Sequence, residues 1–196
     1  MTRQQLTELG YIVPLATVPL ILAGGILSHK RASKVAHTSI ASNEVQDIRA
    51  GKTVPGGRPL HDYANLYICP RNPMLYVKKA IHQEICILRV DPNVVDIPNA
   101  VVTDTNAART FARFRPSPAG LAIVDYDLTF ARFWTHQDPQ EYYRRKGLKC
   151  AEVLVPDAVP RALIMGAYVS CTAGEVALSN LAVGLSVTVN SDLFFL

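Results

Sequence analysis

Charge is scarce in this sequence. Asp, Glu, Lys and Arg make up 18% of its 196 residues, against roughly a quarter in an average soluble domain. With 49% apolar residues, that excludes a disordered chain and leaves a globular one. Cysteine is scarce too. Cys69, Cys86, Cys150 and Cys171 include no C-x-x-C pair, and three sit in apolar runs. They read as buried free thiols in a reducing compartment and argue against a disulfide framework or a zinc site. The five histidines show no metal-ligand spacing, so no structural metal is expected. No internal repeat, low-complexity tract, G-x-S-x-G or glycine-rich phosphate loop occurs, which removes those hydrolase and nucleotide-binding signatures. The most apolar stretch, Tyr11 to Leu27, is broken by Pro14, Pro19, Gly24 and Gly25. It is short for a bilayer and reads as a buried strand and a short core helix, in a soluble, cytoplasmic protein.

The length suits one domain, residues 1–196, with a real core. The net charge of +4 permits a polyanionic partner without demanding one. Short strands are expected at 11–13, 66–69, 84–90, 101–103, 151–155 and 165–170, with an apolar, β-prone tail. Helices are expected at 17–23 (capped by Thr17), 43–50 (capped by Asn43), 73–79 and 107–114, and a helix or ordered loop at 139–146. Residues 28–34 and 51–59 read as loops. Interspersed short strands and helices predict an α+β or mixed α/β domain.

Three segments hold chemistry. In Ala151-Glu152-Val153-Leu154-Val155, alternation puts Glu152 on one face with Leu154. A carboxylate on so apolar a strand sits at an exposed edge or lines a cleft, and on its own the edge is the commoner case. Just before it, Glu141-Tyr142-Tyr143-Arg144-Arg145-Lys146 interleaves aromatics with cations. That pattern suits unpaired bases and phosphates, or a solvated helical face with two core tyrosines. Leu60 to Tyr76 is dense in His, Asp, Asn, Tyr and Arg, and His61-Asp62 reads as a turn. A third stretch, Val35 to Ile40 and Val45 to Ala50, ends with Arg49 at a helix terminus, where a cation favours the dipole.

In order, these segments resemble the DarT family of DNA ADP-ribosyltransferase toxins. Leu60 to Tyr76 resembles L-H-D-Y-x-x-x-Y-x-x-x-R-x-P-M-L-Y, and His37 to Ala50 resembles H-x-S-I…I-Q-D-R-R-A. Thr103-Asp104 with Asn106-Ala107 and Arg113-Phe114 resembles T-D-G-H-A…R-F. Ala131 to Trp134 with Asp138-Pro139 resembles A-R-Y-W…D-P, and Ala151 to Val155 resembles A-E-x-L-V. The likeness covers roughly residues 10 to 170.

The resemblance implies an ADP-ribosyltransferase fold: two small packed β-sheets, peripheral helices and a cleft for NAD as co-substrate. It implies Glu152 and Arg49 as catalytic residues, and Tyr11, Val13, Arg49, Met74 and Asn106 around NAD. Single-stranded DNA would lie on Tyr142, Tyr143, Arg144, Arg145 and Lys146. It also implies an antitoxin that removes ADP-ribose or binds the enzyme. The sequence departs from the family pattern at Tyr11 (histidine in the family), Val13 (threonine), Ile48 (arginine) and Thr105-Asn106 (Gly-His). These departures lean the expected target base toward guanosine rather than thymidine. They also leave two rivals: a catalytically impaired single-strand-binding module, and an ADP-ribosyltransferase acting on RNA or protein. The chemistry suits the residues. A carboxylate can stabilise the oxocarbenium-like ribose as the N-glycosidic bond breaks, and an unpaired base exposes the attacking nitrogen.

Overall fold

The apolar run at Leu9–Pro14 forms strand β1, around which the other strands are arranged. In the computed structural model, which describes residues Met1–Leu196, the chain continues through α1 (Val18–Gly24), β2 (Ile26–Leu27), α2 (His29–Ala32) and α3 (Asn43–Ala50). Next come β3 (Tyr63–Tyr67), α4 (Pro73–Val77), β4 (Ile85–Val90), β5 (Val101–Thr103), β6 (Phe114–Pro116), α5 (Tyr126–Phe130) and α6 (Pro139–Leu148). The last elements are β7 (Glu152–Pro156), β8 (Ala158–Val159), β9 (Ile164–Val169), α7 (Thr172–Leu181) and β10 (Val187–Val189).

Eight strands hydrogen-bond in the order β10-β9-β4-β1-β3-β7-β5-β6, and β2 with β8 makes a separate ribbon. β1 pairs with β4 along its whole length, from Leu9↔Val90 to Pro14↔Ile85. It meets β3 at a single pair, Gly10↔Tyr67. β3 in turn pairs with β7 from Tyr63↔Pro156 to Tyr67↔Glu152. The sheet is therefore two four-stranded halves joined at one point. The expected pair of small packed sheets corresponds to these halves, which are joined between β1 and β3 and send side chains into one core. Gly10 permits the junction: a Cβ there would lie 2.6 Å from the Pro70 Cβ. Beyond Gly10, β1 and β3 diverge, and the gap between them is the cleft.

Alternation sets the two faces of the second half. Ala64, Leu66, Val153 and Val155 enter the main core with Val13, Leu88 and Val90. Tyr63, Asn65, Tyr67, Glu152 and Leu154 therefore share the other face. Cys69, Cys86 and Cys150 are buried free thiols, and Cys171 is half-buried. No three His, Cys, Asp or Glu residues gather where they could hold a metal ion. No helix is long and apolar enough to cross a membrane.

Several local expectations change. Residues 107–114 form turns leading into β6 rather than a helix, because their polar groups are drawn elsewhere. The Ala107 N–H donates to Glu152, and the Arg113 main-chain N–H and Nε donate to Asp104. Within the expected loop at 28–34, residues 29–32 are helical, with the Ser28 hydroxyl accepting from the Arg31 N–H. Thr17 precedes α1, but its hydroxyl donates to the Thr38 carbonyl instead of capping. Ser42, not Asn43, occupies the position before α3. The tail strand shortens to β10, and a 3-10 turn at Ser191–Leu193 follows it. Helices α5 and α7 were not foreseen.

Candidate active site

β7 lies between β3 and β5, with Glu152 opposite Tyr67 on one side and Thr103 on the other. It is an interior strand, so Glu152 is not at an exposed edge, and its exposure is 0%. Arg49, in the last turn of α3, is 4% exposed. Its Nη1 donates to both Glu152 oxygens, at 3.1 and 3.3 Å. The Ala107 N–H donates to the same carboxylate at 3.4 Å. Asn106 Oδ1 accepts from the Ala108 N–H at 2.8 Å and lies 3.5 Å from Arg49 Nη1.

An isolated buried carboxylate costs several kcal/mol, so its partners decide its charge state. Burial pushes Glu152 above the ordinary carboxylate range, while Arg49 and the Ala107 amide pull it partly back. The Tyr67 phenol is pushed well up by burial and by Glu152, which keeps it neutral. Arg49 hydrogen-bonds within the chain through Nη1 alone, which leaves its other N–H groups for a ligand.

In front of this pair is a cavity of about 550 Å³, opening where β1 and β3 diverge, and well within the size of small-molecule and cofactor sites. Arg49, Asn106, Tyr67 and Met74 line it; Glu152 sits behind Arg49 and does not reach its surface. Tyr11 is half-buried on the cavity wall, and burial raises its phenol. Val13 also borders the cavity, but its side chain is 3% exposed within the main core. A ligand can therefore meet Val13 only through the main chain. Met74 is held on α4 by buried Asn72, whose Oδ1 accepts from the Met74 and Leu75 N–H groups at 3.0 and 3.1 Å. This wall thus carries three cations (Arg49, Lys78, Lys146), three side-chain amides (Gln46, Asn65, Asn106), two phenols (Tyr11, Tyr67) and the Met74 thioether. Together they can grip a phosphate, a ribose and a flat ring.

The structure divides the expected DNA-facing set. Asp138 caps α6, its carboxylate accepting from the Gln140 N–H at 2.8 Å. Arg144 and Arg145 both turn onto Glu141, at 2.7 and 2.8 Å, and hold its carboxyl down at about 2. Two of the three expected phosphate contacts are thus occupied within the helix. Lys146 instead lines the cavity, 5.9 Å over the Tyr142 ring. Tyr143 remains outward, 60% exposed.

Sequence reasoning missed Lys149, which is 0% exposed. Its Nζ donates to the Thr129 and Ala131 carbonyls at 2.8 and 2.7 Å and approaches Cys69 Sγ at 3.5 Å. It ties the end of α5 to the chain entering β7. A lysine following Arg144, Arg145 and Lys146 reads as one more surface cation, so the sequence carries no signal for it.

Comparison with known proteins places the chain. Residues 11–195 match a family model described as ssDNA thymidine ADP-ribosyltransferase, DarT. The chain is 32% identical over 172 residues to a DNA ADP-ribosyl transferase–DNA ADP-ribosyl glycohydrolase fusion protein of Thermosipho africanus. That match covers 83% of this chain and 42% of the fusion protein, so the chain spans less than half of that relative. The structure of Thermus sp. 2.9 DarT in complex with ADP-ribosylated ssDNA superposes with a TM-score of 0.83 at 29% identity, covering 100% of this chain and 99% of that one. The same protein in complex with carba-NAD+ gives a TM-score of 0.79 at 27% identity, covering 97% and 99%.

Proposed function

Because the chain belongs to the DarT family of DNA ADP-ribosyltransferases, we propose that it transfers ADP-ribose from NAD to thymidine in single-stranded DNA, releasing nicotinamide. The observation that carries this reading is the buried Glu152–Arg49 pair behind the cavity at the divergence of β1 and β3. NAD supplies the ribosyl group. Arg49 turns its free N–H groups toward the phosphates and uncovers Glu152, whose carboxylate stabilises positive charge on the ribose as its bond to nicotinamide breaks; the thymine ring nitrogen bonds to the same ribose carbon and gives up its proton to that carboxylate. Asn106, the Tyr11 hydroxyl and the Val13 main chain hold the remaining polar groups, and Met74 packs against the flat ring. Thymidine is the base in the description of the family model. Guanosine, toward which the departures at Tyr11, Val13, Ile48 and Thr105-Asn106 leaned, is the alternative target base. A single strand is required because pairing hides the attacking nitrogen.

The chain acts as one transferase domain, in the cytoplasm, as the toxin of a toxin–antitoxin pair. A relative that joins a DNA ADP-ribosyl glycohydrolase to the transferase supports an antitoxin that removes the modification. The test is incubation with NAD and single- or double-stranded oligonucleotides in which only thymidine or only guanosine is available, with ADP-ribose located by mass spectrometry. Product on single-stranded thymidine is expected. Product on guanosine alone overturns the base assignment. NAD turnover without a DNA product points to RNA or protein as acceptor, and DNA binding without turnover to an impaired binding module.

A further inference from the structure

A second hollow, of about 520 Å³, lies on the other side of α4. The helical period divides that helix between the two: Met74, Val77 and Lys78 face the NAD cavity, while Tyr76 and the following Lys79 face the groove. The groove's walls are aromatic. Tyr76 and Phe195 meet edge to face at 5.2 Å, and Trp134, only 8% exposed, lies against both at 5.8 and 5.7 Å. Their orientations are fixed by that packing, yet Tyr76 is 43% exposed and its neighbour Phe133 62%. Exposed aromatic surface gathered on one water-facing groove suits a binding partner.

Cations rim the same groove. Arg71 lies 4.1 Å over the Phe195 ring and Lys79 4.7 Å over the Tyr76 ring. Nη1 of Arg71 donates to the Asp192 and Phe194 carbonyls at 2.8 and 2.7 Å, while its buried Nε has no partner. Arg132 makes no hydrogen bond or ion pair and lies 5.9 Å over the Phe133 ring; burial, and after it the Arg132 charge, hold Arg71 below its ordinary value. Asp192 is the only acidic side chain on the wall, and it pairs with none of the three cations. Arg71 and Arg132 line one groove and neither has a carboxylate partner, which leaves a place for an external anion.

We propose that this groove is a second nucleotide subsite, which stacks a base of the single-stranded DNA next to the modified one on Phe133 and Tyr76 and seats its phosphate between Arg71 and Arg132. This rests on the DNA-modifying function proposed above. The α4 helix is a wall about 10 Å thick, narrow enough for a strand with its target base in the cavity to lay following nucleotides in the groove. Stacking on ring faces with cations beside them is how single strands are held without base-pairing readout. A duplex, whose bases already stack, has nothing to offer these rings.

The test is the variant Arg132→Ala with Phe133→Ala, both at exposed positions outside the reacting centre. Its kinetics are compared with wild type on single-stranded oligothymidylates of increasing length. In the wild type, KM should fall as the oligonucleotide becomes long enough to reach the groove. The variant should lose that gain, a rise of about tenfold or more for long substrates, the worth of one stacked base. The shortest substrate, the KM for NAD and kcat should stay as in wild type, and Phe133→Trp should keep the gain. An unchanged length dependence in the variant overturns the proposal, as does an equal rise for the shortest substrate and for NAD. Should the wild type modify no oligonucleotide, the function proposed above fails separately. Fluorescence anisotropy of labelled oligothymidylate then decides the groove, weaker binding by the variant supporting it and equal binding overturning it.

Discussion

The two hollows on either side of α4 are built on opposite plans. At the head of the first cavity two opposite charges are buried and satisfy each other, Glu152 and Arg49, with the Asn106 amide beside them. In the groove no cation has a carboxylate partner, and the Tyr76 and Phe133 rings are exposed. A site that must act on a forming charge needs fixed dipoles in low dielectric, and each is worth a great deal. A surface that must hold a passing polyanion needs many weak contacts, each screened by salt. Changes in the cavity should therefore appear in kcat or in the KM for NAD, and changes in the groove or on α6 in the KM for DNA and its salt dependence.

The sharpest test of this contrast is Glu152→Gln, which keeps the shape of the side chain and removes its charge. Transfer should fall by about a hundredfold or more, as with loss of other transition-state electrostatic groups, while the circular dichroism melt stays cooperative. A kcat within a few-fold of wild type would place the reacting centre elsewhere.

Next in size is Arg49→Met, which leaves the carboxyl buried without its cation. The folded-state pKa of Glu152, already raised by burial, should rise further above its unfolded value of about 4.3. The folded state then holds the proton more tightly. The stability that this proton confers is fully present below the unfolded pKa and is lost as pH rises through the folded one. Thermal melts should show this variant losing stability from acid to neutral pH more steeply than wild type, by about 3 kcal/mol at neutrality. A slope parallel to wild type would mean that water reaches Glu152 freely.

Tyr11 gives a smaller effect on the same side of α4. Tyr11→Phe should raise the KM for NAD by the worth of one hydrogen bond, about 1 kcal/mol, and Tyr11→Ala by more, because it also removes the ring from the wall. An unchanged KM in Tyr11→Ala would make Tyr11 a core residue only.

The smallest effect is expected on α6. Arg144→Gln with Arg145→Gln should raise the KM for DNA by less than about fivefold, since both arginines already serve Glu141 and exposed pairs contribute little. The rise should shrink in high salt and leave the KM for NAD unchanged. A larger effect would move the main DNA contact from the groove to α6.

Strand β7 was legible because alternation over Ala151–Val155 places a lone carboxylate among apolar neighbours, and α4 because Pro73 suits the first turn of a helix. What alternation cannot tell is what lies across from a face. Arg49 meets Glu152 over 103 positions of sequence, and only the family likeness linked them. Residues 107–114 read as helix because helical propensity is local, whereas Ala107 and Arg113 answer to carboxylates at Glu152 and Asp104. Lys149 and the Trp134–Tyr76–Phe195 cluster were invisible for the same reason. Their roles come from three separate stretches of chain that no periodicity connects.

The single contact between β1 and β3 has a consequence for local opening. Along the β1–β4 ladder an amide is released only when many neighbours let go together, but at Gly10↔Tyr67 there is one pair to break. Hydrogen exchange should find the two halves of the sheet to be separate cooperative units, with the earliest opening along their seam. The cleft lies on that seam, so a molecule seated in it touches both halves and closes the line along which the fold parts most easily. Its binding free energy then adds directly to the protection of the seam.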